Sequence, residues 1–215
     1  MPGIERVEPG GHAVLTFDDG PDGAPEATVA VLDQLDAIGA KGTFFVLGDQ
    51  IEAAPGLVAE IVSRGHEVGL HGQRHFRHDR VGAAESAADV EAGYEVLTAT
   101  LGEAPRYYRP PYGKLSRAAA EVCERHRLEV AYWSTWGLDW EPLSADRVAA
   151  RAVRDLDDGS IVLLHDSARY AVRPSAAPTA AALAAIGDAA AAKGLRLVTL
   201  SEARRATGAP SGVER

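Results

Sequence analysis

The sequence predicts an α/β protein with a parallel sheet closed into a barrel, and three observations lead there. Short β-type runs alternate with longer helical patterns along nearly the whole chain. Seven β-runs separated by helices imply parallel pairing, in a sheet that is either doubly wound or closed. Finally, Asp18-Asp19, His71, Arg109 and His165-Asp166 each follow a β-run directly, at its carboxyl end. In an open sheet such ends spread along an edge; in a barrel they open on one face and can converge. No glycine-rich phosphate loop follows the first run, which counts against a doubly wound nucleotide-binding fold.

The elements follow in order. Residues 12–17 read as a strand and 25–38 as a helix with Val29, Leu32 and Leu35 on one face, closed by Gly39. Residues 42–46 (GTFFV) are the next buried strand, and 55–64 a helix with Pro55 in its first turn. A third strand covers 67–70, followed by a helix over 83–101 with acids on its outer face. Residues 105–108 form a fourth strand and 116–125 a fourth helix, with Ser116 as N-cap. A fifth strand over 128–133, a fifth helix over 144–156 and a sixth strand over 159–164 come next. The Ala-rich helix over 178–193 stops at Gly194, and 195–198 is the seventh strand. With no internal repeat, residues 1–215 read as one domain with its core over about 12–200.

Composition narrows the function. Apolar residues make up 46 % and charged residues 25 %, which excludes disordered and collagen-like chains. Twenty-two basic against 31 acidic residues give a net charge of −9, with no basic block, so nucleic acid is not an expected partner. The one cysteine, Cys123, excludes an internal disulfide and a cysteine-rich zinc site, and its setting (EVCE) reads as helix interior. The longest apolar run without alanine, residues 161–164, is far too short to span a bilayer. No apolar stretch follows a basic start at the N-terminus, so the chain as written reads as cytoplasmic; a secreted protein with its leader removed would read the same.

The chemistry sits at the strand ends. Thr16-Phe17-Asp18-Asp19-Gly20-Pro21 sets two adjacent carboxylates at the end of the first strand, and both face one pocket only if the strand stops there. His71-Gly72-Gln73-Arg74-His75 carries two imidazoles four apart, a spacing that brings both rings to one side of a helical turn and suits one metal ion. A carboxylate such as Asp19 would complete a His-His-Asp set with open positions for water and substrate, the pattern of a catalytic site. His66 reads as structural and His78 as part of a solvated loop. Arg109-Pro110-Pro111-Tyr112-Gly113 presents a guanidinium that, ending a buried strand, should seek a carboxylate. Trp133, Trp136 and Trp140 fall close together, with Asp139 before the last, as in a wall on which sugars stack or as core filling. His165 ends a hydrophobic strand, placed either as a satisfied core residue or for general acid work.

Taken in order, TFDDGP, HGQRH, RPPYG, LDW and LLHD resemble the motifs of the polysaccharide deacetylase family, the NodB-homology group of carbohydrate esterase family four. The segments GTFFV (42–46) and GHEVG (65–69) are also similar to its connecting strands, and the likeness runs from about residue 12 to 200. It implies a distorted, incomplete (β/α) barrel, here with about seven parallel strands. It implies that Asp18 is the general base and that Asp19, His71 and His75 hold a divalent metal, usually zinc, with cobalt or another divalent ion as the alternative. Arg109 would orient Asp18, and Tyr112 would offer its backbone N–H to the oxyanion. Asp139 would tune His165, the general acid, while Trp140 and Leu163 shape the acetyl-binding groove.

Two positions depart from the family pattern. Gly72 stands where Ser or Thr usually supports the metal loop, so that loop must be held otherwise. The segment Trp136-Gly137-Leu138 lacks a polar residue often found before Asp139, which bears on groove specificity. The resemblance implies a metal-dependent N-deacetylase of an acetylated carbohydrate, of chitooligosaccharide or peptidoglycan type. The alternatives are a deacylase of O-acetyl xylan or of a small amide, and a non-catalytic carbohydrate-binding member, although none of the base, ligand or acid positions is lost.

Overall fold

Residues 12–18 run apolar or β-branched with hardly a break, as suits a strand covered on both faces, and β1 (His12–Asp18) is buried along its whole length. The computed structural model describes residues 3–206; Met1, Pro2 and 207–215, part of the expected domain, lie outside the described residues. β1 pairs with β2 (Gly42–Leu47) on one side and β7 (Ile161–His165) on the other. Beyond β2 come β3 (Glu67–Gly72), β4 (Tyr107–Tyr108) and β5 (Glu129–Val130), and beyond β7 comes β6 (Thr135–Trp136). Every pair in this path of seven is parallel, and together they form a curled, incomplete barrel. β8 (Arg196–Leu197) lies off the path, paired with the first two residues of β1.

Helices fill the crossovers: α1 (Thr28–Ala37), α2 (Gly48–Ala53), α3 (Leu57–Ser63), α4 (Ala83–Leu101), α5 (Arg117–His126), α6 (Ala145–Arg154), α7 (Ala177–Ala192) and α8 (Leu200–Ala206). Successive strand residues point to opposite faces, and adjacent phenylalanines show it. Phe44 stacks on Phe17, ring centres 4.8 Å apart, in the large core shared with α1, α3, α4 and α5. Phe45 belongs to a second cluster with Val14, Tyr107, Ile161 and Leu200, the last from α8. Cys123 is buried in α5, and burial pushes its thiol up to about 12, so it is the inert helix residue its setting suggested.

Most expected elements are present with shifted ends, and the differences have local causes. Ser116 caps α5 as expected, its hydroxyl accepting from Ala119 N–H at 3.0 Å. α1 starts at Thr28 rather than Pro25, because the Thr28 hydroxyl is bonded to Asp22 N–H and Asp166. The fifth strand, expected over 128–133, shortens to two residues because Ala131–Ser134 crosses from one edge of the sheet to the other. β6, α2 and α8 are too short to carry a periodic pattern and were not expected. The seventh expected strand, 195–198, is β8, so β6 rather than that segment completes the path of seven.

That crossing leaves a seam, which the N-terminal segment covers. Ile4 N–H donates to Val130 C=O and Tyr132 N–H to Ile4 C=O, while Val7 N–H donates to Gly159 C=O just before β7. Asp158 fixes the next residues, accepting backbone N–H groups from Gly10, Gly11 and His12. Among the described residues no helix is long and apolar enough to cross a membrane.

Candidate active site

The carboxyl ends of β1, β3 and β7 deliver the first polar groups. β1 stops at Asp18, and Asp19 takes a left-handed backbone (φ 79), which swings its carboxylate to the same side as its neighbour's. That turn solves the problem of two adjacent carboxylates in one pocket. Asp18 lies in register with His165 on the neighbouring strand, so base and acid candidates start from facing positions. His71 comes from β3. His75 does not reach it by a helical turn, as the spacing suggested; residues 73–77 are irregular, and the loop itself folds His75 back beside His71, ring centres 5.4 Å apart.

Donor atoms of Asp19, His71 and His75 lie within 4.8 Å of one another. Asp19 Oδ1 is 3.4 Å from His71 Nε2 and 3.2 Å from His75 Nε2, yet it is buried with no hydrogen-bond partner. Donors on a tetrahedral ion with bonds of roughly 2.1 Å stand about 3.4 Å apart, so these separations suit a small divalent cation. His71 Nδ1 sits 2.7 Å from the Arg109 carbonyl oxygen. A carbonyl only accepts, so Nδ1 carries the hydrogen and Nε2 offers its lone pair. Burial lowers His75 to about 4, so its imidazole is neutral near pH 7 and able to ligate. Burial pushes the Asp19 carboxyl up, but the His71 contact and the charge of His165 outweigh it and hold it at about 2. The donor set therefore fits a metal ion on its own chemistry.

Asp18 is held by Arg109, which has no exposed surface. The guanidinium donates to Asp18 Oδ1 at 2.8 Å and Thr16 Oγ1 at 2.6 Å, and to the carbonyls of Ala131 and Tyr132 at 3.2 and 2.6 Å. Phe45 stacks on it at 4.1 Å. The carbonyls it uses lie in the stretch that crosses the seam, so one residue closes the barrel and orients a carboxylate.

On the opposite side Leu138 turns left-handed (φ 53) and sends Asp139 inward. Asp139 Oδ1 lies 2.9 Å from His165 Nδ1, and Oδ2 accepts from His165 N–H at 2.8 Å and Thr179 Oγ1 at 2.7 Å. Burial alone would lower His165; the Asp139 carboxylate more than offsets it and raises the imidazole to about 9. Since Nδ1 is taken by Asp139, Nε2 is the nitrogen left for chemistry. Trp140 meets the ring edge-on at 5.6 Å.

A cleft of about 330 Å³ joins these groups, lined by Asp18, Asp19, His71, His75, Tyr112, Trp133, Trp140, Leu163 and His165. Asp139 and Arg109 lie behind it, buried. Tyr112 sits at φ 58 on the RPPYG turn, its ring 4.5 Å from that of His75. Of the three tryptophans, Trp133 and Trp140 line the cleft, whereas Trp136 is exposed on β6 and takes no part in the wall. His66 is structural as expected, accepting from Gly42 N–H. His78 is not in a solvated loop: it is buried, with Asp89 on one ring nitrogen and the Tyr108 hydroxyl on the other. The sequence reading also missed Tyr170, which stacks on His75 at 4.3 Å and lines the cleft with Ala171 and Val172. Its segment has no periodicity, and only the short distance from His165 pointed to it.

Residues 5–131 match the family described as Polysaccharide deacetylase, and the chain belongs to that family. Its relatives include a peptidoglycan-N-acetylglucosamine deacetylase of Bacillus cereus, 33 % identical over 156 residues, which are 73 % of this chain and 56 % of that protein. A second protein of that name and organism is 32 % identical over 194 residues, 89 % of this chain and 87 % of its own. Among solved structures, a family 4 acetyl xylan esterase from Clostridium thermocellum in complex with a cobalt ion is 30 % identical, with a TM-score of 0.81 over 92 % of each chain. This chain spans about half the length of the first relative, and other curated relatives match it over only 34 % of theirs.

Proposed function

We propose that this protein is a metal-dependent hydrolase that removes N-acetyl groups from an N-acetylated sugar polymer, with zinc held by Asp19, His71 and His75. One observation carries the reading: a carboxylate held by an arginine and an imidazole held by a carboxylate flank one small cleft beside three residues able to ligate a metal. The names of the Bacillus cereus relatives support the substrate class, and two imidazoles with one carboxylate are donors typical of catalytic zinc. A bound divalent ion would supply Lewis acidity, activating water and polarising the acetyl carbonyl.

The remaining work falls to the chain. Asp18, oriented by Arg109, takes the proton of the attacking water. Tyr112, on the left-handed RPPYG turn beside His75, offers its backbone N–H to the developing oxyanion, where a preorganised donor is worth more than in water. His165, kept protonated by Asp139, gives its Nε2 proton to the departing amine, without which an amine anion would have to leave. Trp133, Trp140 and Leu163 give the acetyl methyl and the sugar face an apolar wall. A cleft this size admits one substituted sugar ring, with the polymer running outside it.

The likeness to the acetyl xylan esterase favours a second reading, O-acetyl ester hydrolysis in the same site. Assays of the zinc-loaded protein against N-acetylglucosamine oligomers, peptidoglycan fragments and acetylated xylan separate the two. Acetate and free amine released together support N-deacetylation. Acetate from xylan alone supports the ester reading, and no acetate from any of them overturns both.

A further inference from the structure

With Gly72 after His71, no hydroxyl supports the ligand loop there, and a carboxylate from α4 occupies the space instead. Gly72 lies at φ +111, and a Cβ on it would stand 2.6 Å from Asp89 Oδ2. Asp89 is buried, and its side chain accepts from Gln73 N–H at 3.2 Å and Arg74 N–H at 3.0 Å, two of the three residues between the ligands. His78 Nε2 lies 3.2 Å from the same Oδ2 and is itself backed by the Tyr108 hydroxyl at 3.1 Å. From the solvent side, Arg74 Nε comes to 3.7 Å of Oδ1. α4 approaches this closely because Gly93, one turn beyond Asp89, has no side chain. A Cβ there would lie 2.6 Å from the Gly72 carbonyl carbon and 2.7 Å from the Gln73 nitrogen.

We infer that Asp89 is the positioning residue for the metal ligands: through Gln73 and Arg74 N–H it fixes the loop that sets His75 against His71. The inference rests on the metal reading above. A buried carboxylate is costly unless its lone pairs are filled, and here they are filled by the backbone of this loop and by His78. None of these bonds uses a ligand side chain, so they would order the loop independently of the ion, and that ordering would not subtract from metal affinity. Groups that orient ligands in this indirect way typically account for 10- to 100-fold in affinity.

The test is zinc affinity by chelator competition, for the wild type and for Asp89→Asn, with thermal midpoints to establish that both are folded. Asparagine keeps the shape but has one acceptor oxygen, so it loses one of the two side-chain bonds; Gln73 N–H keeps the Asp89 carbonyl at 3.2 Å, whereas Arg74 N–H bonds to the carboxylate. Zinc should bind roughly 10- to 100-fold more weakly to the variant. Saturating zinc should restore its kcat, because no group that touches substrate has changed; a purely structural defect would lower the midpoint and leave the zinc affinity of the folded fraction unaltered. Should Asp89→Asn not fold, amide exchange in the zinc-free wild type decides: Arg74 N–H, held by the carboxylate, should already be protected, and fast exchange there overturns the inference. A wild type that binds no zinc would sink the metal reading itself. Wild type and variant binding equally would remove Asp89's role and leave that reading standing.

Discussion

Two buried ion pairs frame the cleft, and they are built differently. On the β1 side, Asp18 is paired with a fully buried arginine whose donors are spread over a carboxylate, a hydroxyl and two carbonyls. On the β7 side, Asp139 is paired with a histidine whose side chain keeps 13 % of its surface exposed. Arginine does not lose its proton in a protein, so the cation of the first pair is permanent and serves as architecture as well as electrostatics. Histidine does lose its proton, and in that pair the carboxylate is the fixed member. The difference matches the proposed chemistry: the group that must stay anionic faces a permanent cation, and the group that must give up a proton faces a permanent anion.

The largest effects should come from deleting the reactive member of each pair. Asp18→Asn and His165→Ala should each lower kcat/KM by roughly 100- to 10,000-fold, with bound metal unchanged by elemental analysis. Asp19→Asn should fail differently, by losing metal, with partial rescue in excess zinc. Metal loss in Asp18→Asn equal to that in Asp19→Asn would make Asp18 a ligand and remove the distinction between the two neighbours.

Next in size is the loss of an architectural partner. Arg109→Met leaves Asp18 charged, buried and unpaired, and should cost about 3–5 kcal/mol in urea unfolding. A loss below about 1 kcal/mol would show that the β1-side pair is not what closes the seam.

Titration sharpens the contrast. His165 is raised from 6.5 to about 9, so what the imidazole contributes to stability is complete below about 6.5 and is lost as pH rises through about 9, while the part owed to Asp139, whose carboxyl is held low, is lost in acid. Activity that needs the protonated imidazole should fall over the same basic range. Asp139→Asn removes the main raising influence and should move that limb of the kcat/KM profile to lower pH. Zinc beside Asp19 should move it the same way, since Asp19 also raises His165. An NMR titration of the zinc-free and zinc-loaded protein checks both signs, and an unmoved limb in Asp139→Asn would show that the pair does not set the acid.

The smallest effect concerns one hydroxyl, which donates to Asp139 and accepts from the buried Arg173. Thr179→Val removes both bonds and should cost about 1–3 kcal/mol in stability, with kcat/KM nearly unchanged. A large drop in turnover would mean that Asp139 is oriented by Thr179 more than by the His165 backbone.

The sequence carried the fold class and the cleft-lining residues well, because both depend on short-range rules. Strand ends can be read from apolar runs that stop at polar residues, and in a curled parallel sheet those ends converge without further information. Asp18, Asp19, His71, Arg109 and His165 all follow that rule. What stayed hidden depends on contacts far apart in the chain. Asp89 reads as one more acid on a helix until the loop packed against it is seen; its only trace is that Ser86, Asp89 and Gly93 place small or polar residues on the face that also carries Val90 and Leu97. His78 looked solvated because its neighbours are charged, although α4 and Tyr108 enclose it. The turns at Asp19 and Leu138, left-handed in residues that rarely adopt that backbone, cannot be read from composition.

The seam also decides whether an edge of the sheet is left open. β5 and β6 are the edges of the curled sheet, and an uncovered edge is a row of unpaired N–H and C=O groups that can template pairing with another chain. Ile4 already pairs along the β5 edge, donating to Val130 C=O and accepting from Tyr132 N–H. Trimming the chain back to His12 would leave the proposed catalytic groups untouched in sequence and open that edge. The first symptom of such trimming should be self-association through strand exchange, well before any change in the chemistry of the cleft.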